Sequence, residues 1–384
     1  MDKIFKRTLV GAAVAFASAG VMAKQVGINS DFDVDVYGVA AISVVNYDTD
    51  ETKISTGAVT NKSSGYDYEN ESRIGFRASK QMFEDVNVLM QIESGYVGEN
   101  GDGATLGNRD TFIGLDGSWG KVRFGRMLTP MYEIIDWPYA NPGLGAAWDW
   151  GGDVKYNRDR HGDMARYDSV DYNGFRFALA TGRGDKDVED NYFYGASATY
   201  KAADFITFHA AVETESDRQL KEKVDEAWTT CTTAAGCKDA DKVDVNYGDR
   251  YKSTNAAAAT MVDTFGYLIG FEASLPGGFG LAAAYKNGES EDLAAGGKTS
   301  EQSSYSIIGQ YWNGPWGFKV GYAANEESKT GSVKNDDEDS IISGQIMYVH
   351  EGFVPYVRIA QREIKAEGKE SDTFVVRVGL EYGF

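Results

Sequence analysis

The chain has 384 residues, with 58 acidic against 38 basic side chains and a formal charge of −20. So acidic a surface repels phosphate backbones, which excludes nucleic acid as a partner. Forty-five glycines and 23 tyrosines stand against six prolines, a balance suited to strands, tight turns and interfacial rings.

At the N-terminus, Lys3, Lys6 and Arg7 precede an apolar run from Leu9 to Ala19, followed by the small-residue site Val21-Met22-Ala23. This is the pattern of a secretory signal peptide over 1–23, with cleavage after Ala23 or after Ala19. The run is too short to span a bilayer comfortably. The exported chain, 24–384, then reads as a single domain. No later stretch has the roughly 20 unbroken apolar residues of a membrane helix, and the mean hydropathy of −0.39 is polar.

Sixteen short stretches alternate apolar and polar residues. They centre near Val39, Gly75, Met90, Phe112, Arg123, Arg166, Ala178, Ala196, Phe208, Gly270, Ala282, Ile308, Val320, Gln345, Val357 and Val378. Side chains alternate across a strand, so each stretch has one greasy and one polar face. The last is the clearest: Phe374, Val376, Val378, Leu380, Tyr382 and Phe384 share one face, against Val375, Arg377, Gly379, Glu381 and Gly383 on the other. Seven short connections carry Gly, Pro, Asn or Asp, for example Tyr172-Asn173-Gly174 and Pro276-Gly277-Gly278. Eight longer ones alternate with them, centred near Gly57, Gly101, Pro142, Asp187, Ala234, Leu293, Lys334 and Gly368. The pattern predicts an all-β protein, a transmembrane antiparallel up-and-down β-barrel of sixteen strands. Both chain ends then lie on the turn side, and the first strand pairs with the last to remove the open edges that lipid would punish.

Two long connections stand out. The segment from about 127 to 160 is rich in Trp, Pro, Gly and Asp, and its rings (Tyr132, Trp137, Tyr139, Trp148, Trp150) predict packing rather than disorder. Its acids are Glu133, Asp136, Asp149 and Asp153. The polar segment from about 216 to 262 predicts an exposed loop. It holds the only cysteines, Cys231 and Cys237, which in an exported chain favour a local disulfide; a metal site would need more ligands nearby. Neither a metal nor a cofactor is expected.

Several motifs resemble the general porins of Gram-negative outer membranes. They are Val36-Tyr37-Gly38, Ser72-Arg73-Ile74-Gly75-Phe76, Arg109-Asp110-Thr111-Phe112-Ile113-Gly114-Leu115, Phe124-Gly125-Arg126 running into Thr129-Pro130-Met131-Tyr132-Glu133, Arg166-Tyr167-Asp168-Ser169, and the terminal Tyr382-Gly383-Phe384. Each is short; their order and spacing span essentially the whole exported chain. The resemblance implies a homotrimer in the outer membrane, each barrel narrowed by an inward-folded third loop, here the 127–160 segment. It implies that Phe384 is part of the signal read by the barrel-insertion machinery.

The resemblance also implies a constriction. Arg73 and Arg109 match the family's wall arginines, with Arg160 as the third and Arg158 as its competitor. Arg77 and Arg123 share the lumen-facing parity and extend the basic ladder. Glu133 and Asp136 fall nearest the family's loop carboxylates, with Asp149 beyond them. Some members carry a lysine on the first strand where this chain has Val39, which weakens the positive wall. A guanidinium stays charged at any working pH, so the transverse field is permanent.

The expected function is passive diffusion of small hydrophilic solutes and ions, mildly cation-selective on account of the acidic charge. The acidic runs Asp336-Asp337-Glu338-Asp339 and Asp239 to Asp249 are solvated loops that enrich cations, and they could also bridge through divalent cations to lipopolysaccharide. The alternatives are a substrate-specific porin, an adhesive barrel, or a barrel enzyme. Only His161, His209 and His350 are present, none in a Gly-x-Ser-x-Gly setting, so nothing supports an enzyme.

Overall fold

The computed structural model describes residues 32–384 apart from 96–104, 150, 185–187, 222–226, 232–236, 239, 241, 246–249, 255–258, 295 and 367. The expected signal peptide over 1–23 and Trp150 lie outside the described residues. Sixteen barrel strands follow in chain order. β1 is Asp33–Lys53, β2 Arg73–Phe83, β3 Val86–Gly95, β4 Thr111–Gly117, β5 Gly120–Leu128, β6 Arg160–Asp168, β7 Phe175–Arg183 and β8 Tyr192–Ala203. β9 is Ile206–Lys221, β10 Thr260–Ser274, β11 Phe279–Asp292, β12 Thr299–Asn313, β13 Trp316–Asn325, β14 Asp339–Tyr348, β15 Phe353–Ala366 and β16 Lys369–Gly383.

Each strand pairs antiparallel with its sequence neighbour, and β1 pairs with β16 from Val39↔Gly383 to Lys53↔Lys369. The barrel is closed. All sixteen expected strand centres fall in separate strands.

Burial is inverted relative to a soluble sandwich. Ile307, Ile342 and Val378 are 50%, 52% and 54% exposed, while Ser304, Ser306 and Ser343, on the opposite faces, are buried. Apolar outward and polar inward is the economy of a strand wall between lipid and a wet lumen. The alternation seen in the sequence therefore has its greasy face outside.

Some strands run further than polarity alone indicates. The eighth long connection, expected near Gly368, is a tight turn between Ala366 and Lys369, which are register partners. Glu363, Lys365, Glu370 and Asp372 look like loop residues, yet they continue the β15–β16 ladder. The backbone bonds there are made regardless of side-chain polarity. The 216–262 segment likewise begins as strand β9, to Lys221, and ends as β10, from Thr260. Between them, 227–230 pairs with 250–254, and Cys237 pairs with Val245.

Candidate pore constriction

The chain between β5 and β6 carries helix α1, Pro130–Asp136, and one further turn, α2, Gly145–Trp148. Thr129 caps α1: its hydroxyl accepts the Tyr132 N–H at 3.1 Å, and Pro130 fills the first turn where no amide donor is needed. The segment folds into the barrel. Met131, Ile135, Tyr139, Leu144, Ala147 and Trp148 are fully buried. They pack on inward-facing Ala211, Leu268, Ala282, Ala284, Ile308, Ala323, Ile341 and Ala360, drawn from β9 to β15.

Lumen polar groups tie down the loop backbone, which would otherwise leave carbonyls unpaired. Ser306 Oγ donates to Tyr139 O at 2.7 Å and Ser343 Oγ to Pro142 O at 2.5 Å. Asn325 donates to Ala147 O, and Lys319 Nζ to Asn141 Oδ1 at 2.7 Å. Asp339 accepts Gly152 N–H at 2.7 Å, and Gln302 accepts Asp153 N–H at 3.0 Å. Seated on one wall, the loop leaves the passage against the other, formed by β1 to β6 and β16.

Asp136, the last residue of α1, faces that passage. It is open to water although protein surrounds it on every side, as befits a group in a lumen. Crowding by the protein pushes its carboxyl upward, and the charges of Arg73, Arg109 and Arg160 pull it back. The charges of those three arginines thus act on one loop carboxylate, with Glu133 also within its field. Arg73 makes no ion pair among the described residues. Arg109 Nε meets Glu93 Oε1 at 2.5 Å, and Arg160 Nε meets Asp110 Oδ1 at 2.7 Å. Val39 is the register partner of Arg73, so the departure noted on the first strand lies beside this group.

The other anticipated residues are held by partners of their own. Arg158 turns away and grips Glu215 on β9 with two bonds of 2.7 Å. Arg77 donates to Gln91 at 3.0 Å and lies 3.9 Å over the Tyr37 ring. Arg123 pairs with Asp168 at 2.6 Å. Glu133 pairs with Arg166, which also holds Asp168 at 2.7 Å. Asp149 lines a cavity on the loop side and accepts the Tyr132 hydroxyl at 2.7 Å. Burial pushes its carboxyl up to about 6, opposed by that hydroxyl and by Lys286. Cys231 and Cys237 form a disulfide.

The profile described as Gram-negative porin matches residues 10–330 of this chain. The chain belongs to the Gram-negative porin family. A chitoporin of Vibrio furnissii is 52% identical over 396 aligned positions, covering 100% of both chains. Among solved structures, a loop L8 deletion mutant of OmpT, an outer membrane protein of Vibrio cholerae, superposes with a TM-score of 0.66. It covers 92% of this chain and 100% of its own at 15% identity. In-vitro folded OmpT in its trimer form gives 0.60 at 13% identity, with the same coverage. These two likenesses show the fold. The porin is an outer-membrane β-barrel channel and not an enzyme.

Sequence reading of this porin missed the carboxylates that neutralise its wall. Glu93, Asp110 and Asp168 each hold one of the anticipated arginines. Glu93 was within reach, since it shares the lumen parity of Gln91 on β3; both are buried while their outward neighbours are less so. Also missed was the small-residue lining opposite the loop. An added side chain at Gly288 would sit 2.1 Å from the Tyr156 ring, so only glycine admits that ring.

Proposed function

We propose that this porin is a passive diffusion pore for ions and small hydrophilic solutes, narrowed between Asp136 and the guanidiniums of Arg73, Arg109 and Arg160, and mildly cation-selective. The observation that carries the reading is the placement of one water-exposed loop carboxylate within the field of three wall arginines. The sign of selectivity is supported by the pairing of Arg109, Arg160 and Arg123 with Glu93, Asp110 and Asp168, which leaves the wall less positive than its arginine count. The net charge of −20 acts in the same direction. The assembly proposed is a homotrimer.

A second reading concerns the solute. The full-length 52% identity to a protein named chitoporin favours chitin oligosaccharides among the molecules admitted.

One bilayer experiment tests both. Single-channel reversal potentials are recorded under a potassium chloride gradient for the wild type, Arg73→Ala and Asp136→Ala. A cation-sign potential is expected, moved further toward cations by Arg73→Ala and toward anions by Asp136→Ala. A unit charge about 4 Å from a passing ion is worth ~1 kcal/mol in water, so the permeability ratio changes by up to about fivefold, less at high salt. Equal potentials in all three proteins would remove this constriction. A hexamer of N-acetylglucosamine should interrupt the current where maltohexaose does not; equal interruption by the two leaves a general pore.

A further inference from the structure

The charge inside the barrel changes sign across the inward-folded loop. On the turn side, a cavity of about 430 Å³ is lined by Glu133, Asp168, Asp171, Asp204 and Glu272 against Arg166, Arg176 and Lys201. On the loop side, a cavity of about 550 Å³ is lined by Arg126, Lys155, Arg158, Arg160, Arg218 and Lys286 against only Asp149 and Asp159. Carboxylates behind the lining compensate part of this charge. Glu215 holds Arg158, Asp110 holds Arg160, and Glu213 accepts the Arg158 amide at 2.9 Å. Asp339 stands behind Asn325 at 3.3 Å. Among the described residues the excess of cations therefore belongs to the cavity's own lining, in a protein whose net charge is −20.

Two of the cations make no close ion pair among the described residues, although the Asp149 carboxylate acts on Lys286 across the cavity. The one side-chain hydrogen bond of Arg126 runs from Nε to Asn108 O at 2.9 Å, leaving the outer edge of its guanidinium unused. Lys286 Nζ lies over the rings of Trp148 and Tyr156, at 5.1 and 5.4 Å, and is buried there. A desolvated ammonium held by two ring faces keeps much of its attraction for an anion. Arg126 belongs to β5 and Lys286 to β11, so an anion between them meets charge from two parts of the wall. Gln302, Ser304 and Asn325 add neutral polar groups to the lining. The volume falls within the range of small-ligand pockets, and an arginine fork matches phosphate oxygens in pairs.

We propose that this loop-side cavity is a binding site for small phosphorylated solutes of sugar-phosphate size, taken up before they reach the constriction. The site does not depend on the chitin reading, since that solute carries no phosphate. The acidic cavity beyond the loop gives it a direction: a dianion is held on the loop side and repelled on the turn side.

Glucose 6-phosphate is the probe, added to each side in turn of a planar bilayer holding the full exported porin in potassium chloride. Saturable interruption of the current from one side only is expected, with none from glucose. Loss of one charge-assisted contact is worth about tenfold in half-blocking concentration. Arg126→Gln and Lys286→Met should each show that increase, Arg126→Lys should recover only part of the loss because it keeps the charge without the fork, and Arg176→Gln in the acidic cavity should not change it. Heat-modifiable migration on gels establishes that each variant is folded before it is compared. No interruption, equal interruption by glucose, or unchanged values in both Arg126→Gln and Lys286→Met would overturn the proposal.

Discussion

Asp149 shows how one side chain can tie the pore to pH. It is half-buried beside the Tyr132 hydroxyl and near Lys286, and its removal from water raises its carboxyl to about 6. As pH falls through that value the group takes up a proton, and the loop-side cavity loses one negative charge. The sign follows: cation preference weakens on acidification, in a window well above that of an ordinary aspartate. Reversal potentials measured between pH 7.5 and pH 5 should drift toward the anion side, and Asp149→Asn should remove this component of the drift. A drift that is the same in the variant would assign it to other groups. The wall arginines contribute nothing to such a titration, because guanidinium stays protonated throughout.

At the scale of the element, the inward-folded loop is held as a small core of its own. Trp148 is fully buried, and its Nε1–H donates to Ile135 O at 3.0 Å, tying α2 back to α1. Tyr139 meets it edge to face at 6.2 Å. Truncating a buried tryptophan to alanine typically costs about 3–5 kcal/mol. That cost falls on the seat of the loop, because the strands keep their own ladder of hydrogen bonds. Trp148→Ala should therefore migrate as a folded barrel on a gel while giving larger and noisier single-channel currents. A quiet channel of wild-type conductance would mean that the wall bonds from Ser306, Ser343 and Asn325 suffice without the tryptophan.

For the whole molecule, closure is the decisive feature. Gly38 N–H donates to Phe384 O, and Phe384 N–H donates to Gly38 O, both at 3.0 Å, so the last residue completes the ring at the first strand. A side chain on Gly38 would fall 2.7 Å from the Phe384 ring and 2.7 Å from the Arg73 carbonyl. Overpacking of this kind costs about 1–3 kcal/mol, here at the seam where an unpaired edge would face lipid. Gly38→Val should lower the fraction recovered in the heat-modifiable form on refolding into detergent. Full recovery would show that the seam can shift to make room.

Much of this was legible in the linear chain. A barrel wall repeats every two residues, so strand number, the lipid face of β16 and the pairing of first with last strand follow from local alternation. The loop was marked as packed by its length and its rings and as inward-folded by the family resemblance, and the disulfide by two nearby cysteines in an exported chain. Which charges meet was not legible, because that depends on register between strands distant in sequence and on the path of the loop across the lumen. Arg160 rather than Arg158 joins Arg73 and Arg109 around Asp136, although the two candidates are only two residues apart, since Glu215 on β9 claims Arg158. Asp149 is held by the Tyr132 hydroxyl, and Glu93 and Asp110 neutralise arginines that read as bare. Alternation is a property of each strand by itself and can be read from the residues. The field in the pore is a sum over distances between strands, and only the closed barrel sets those distances.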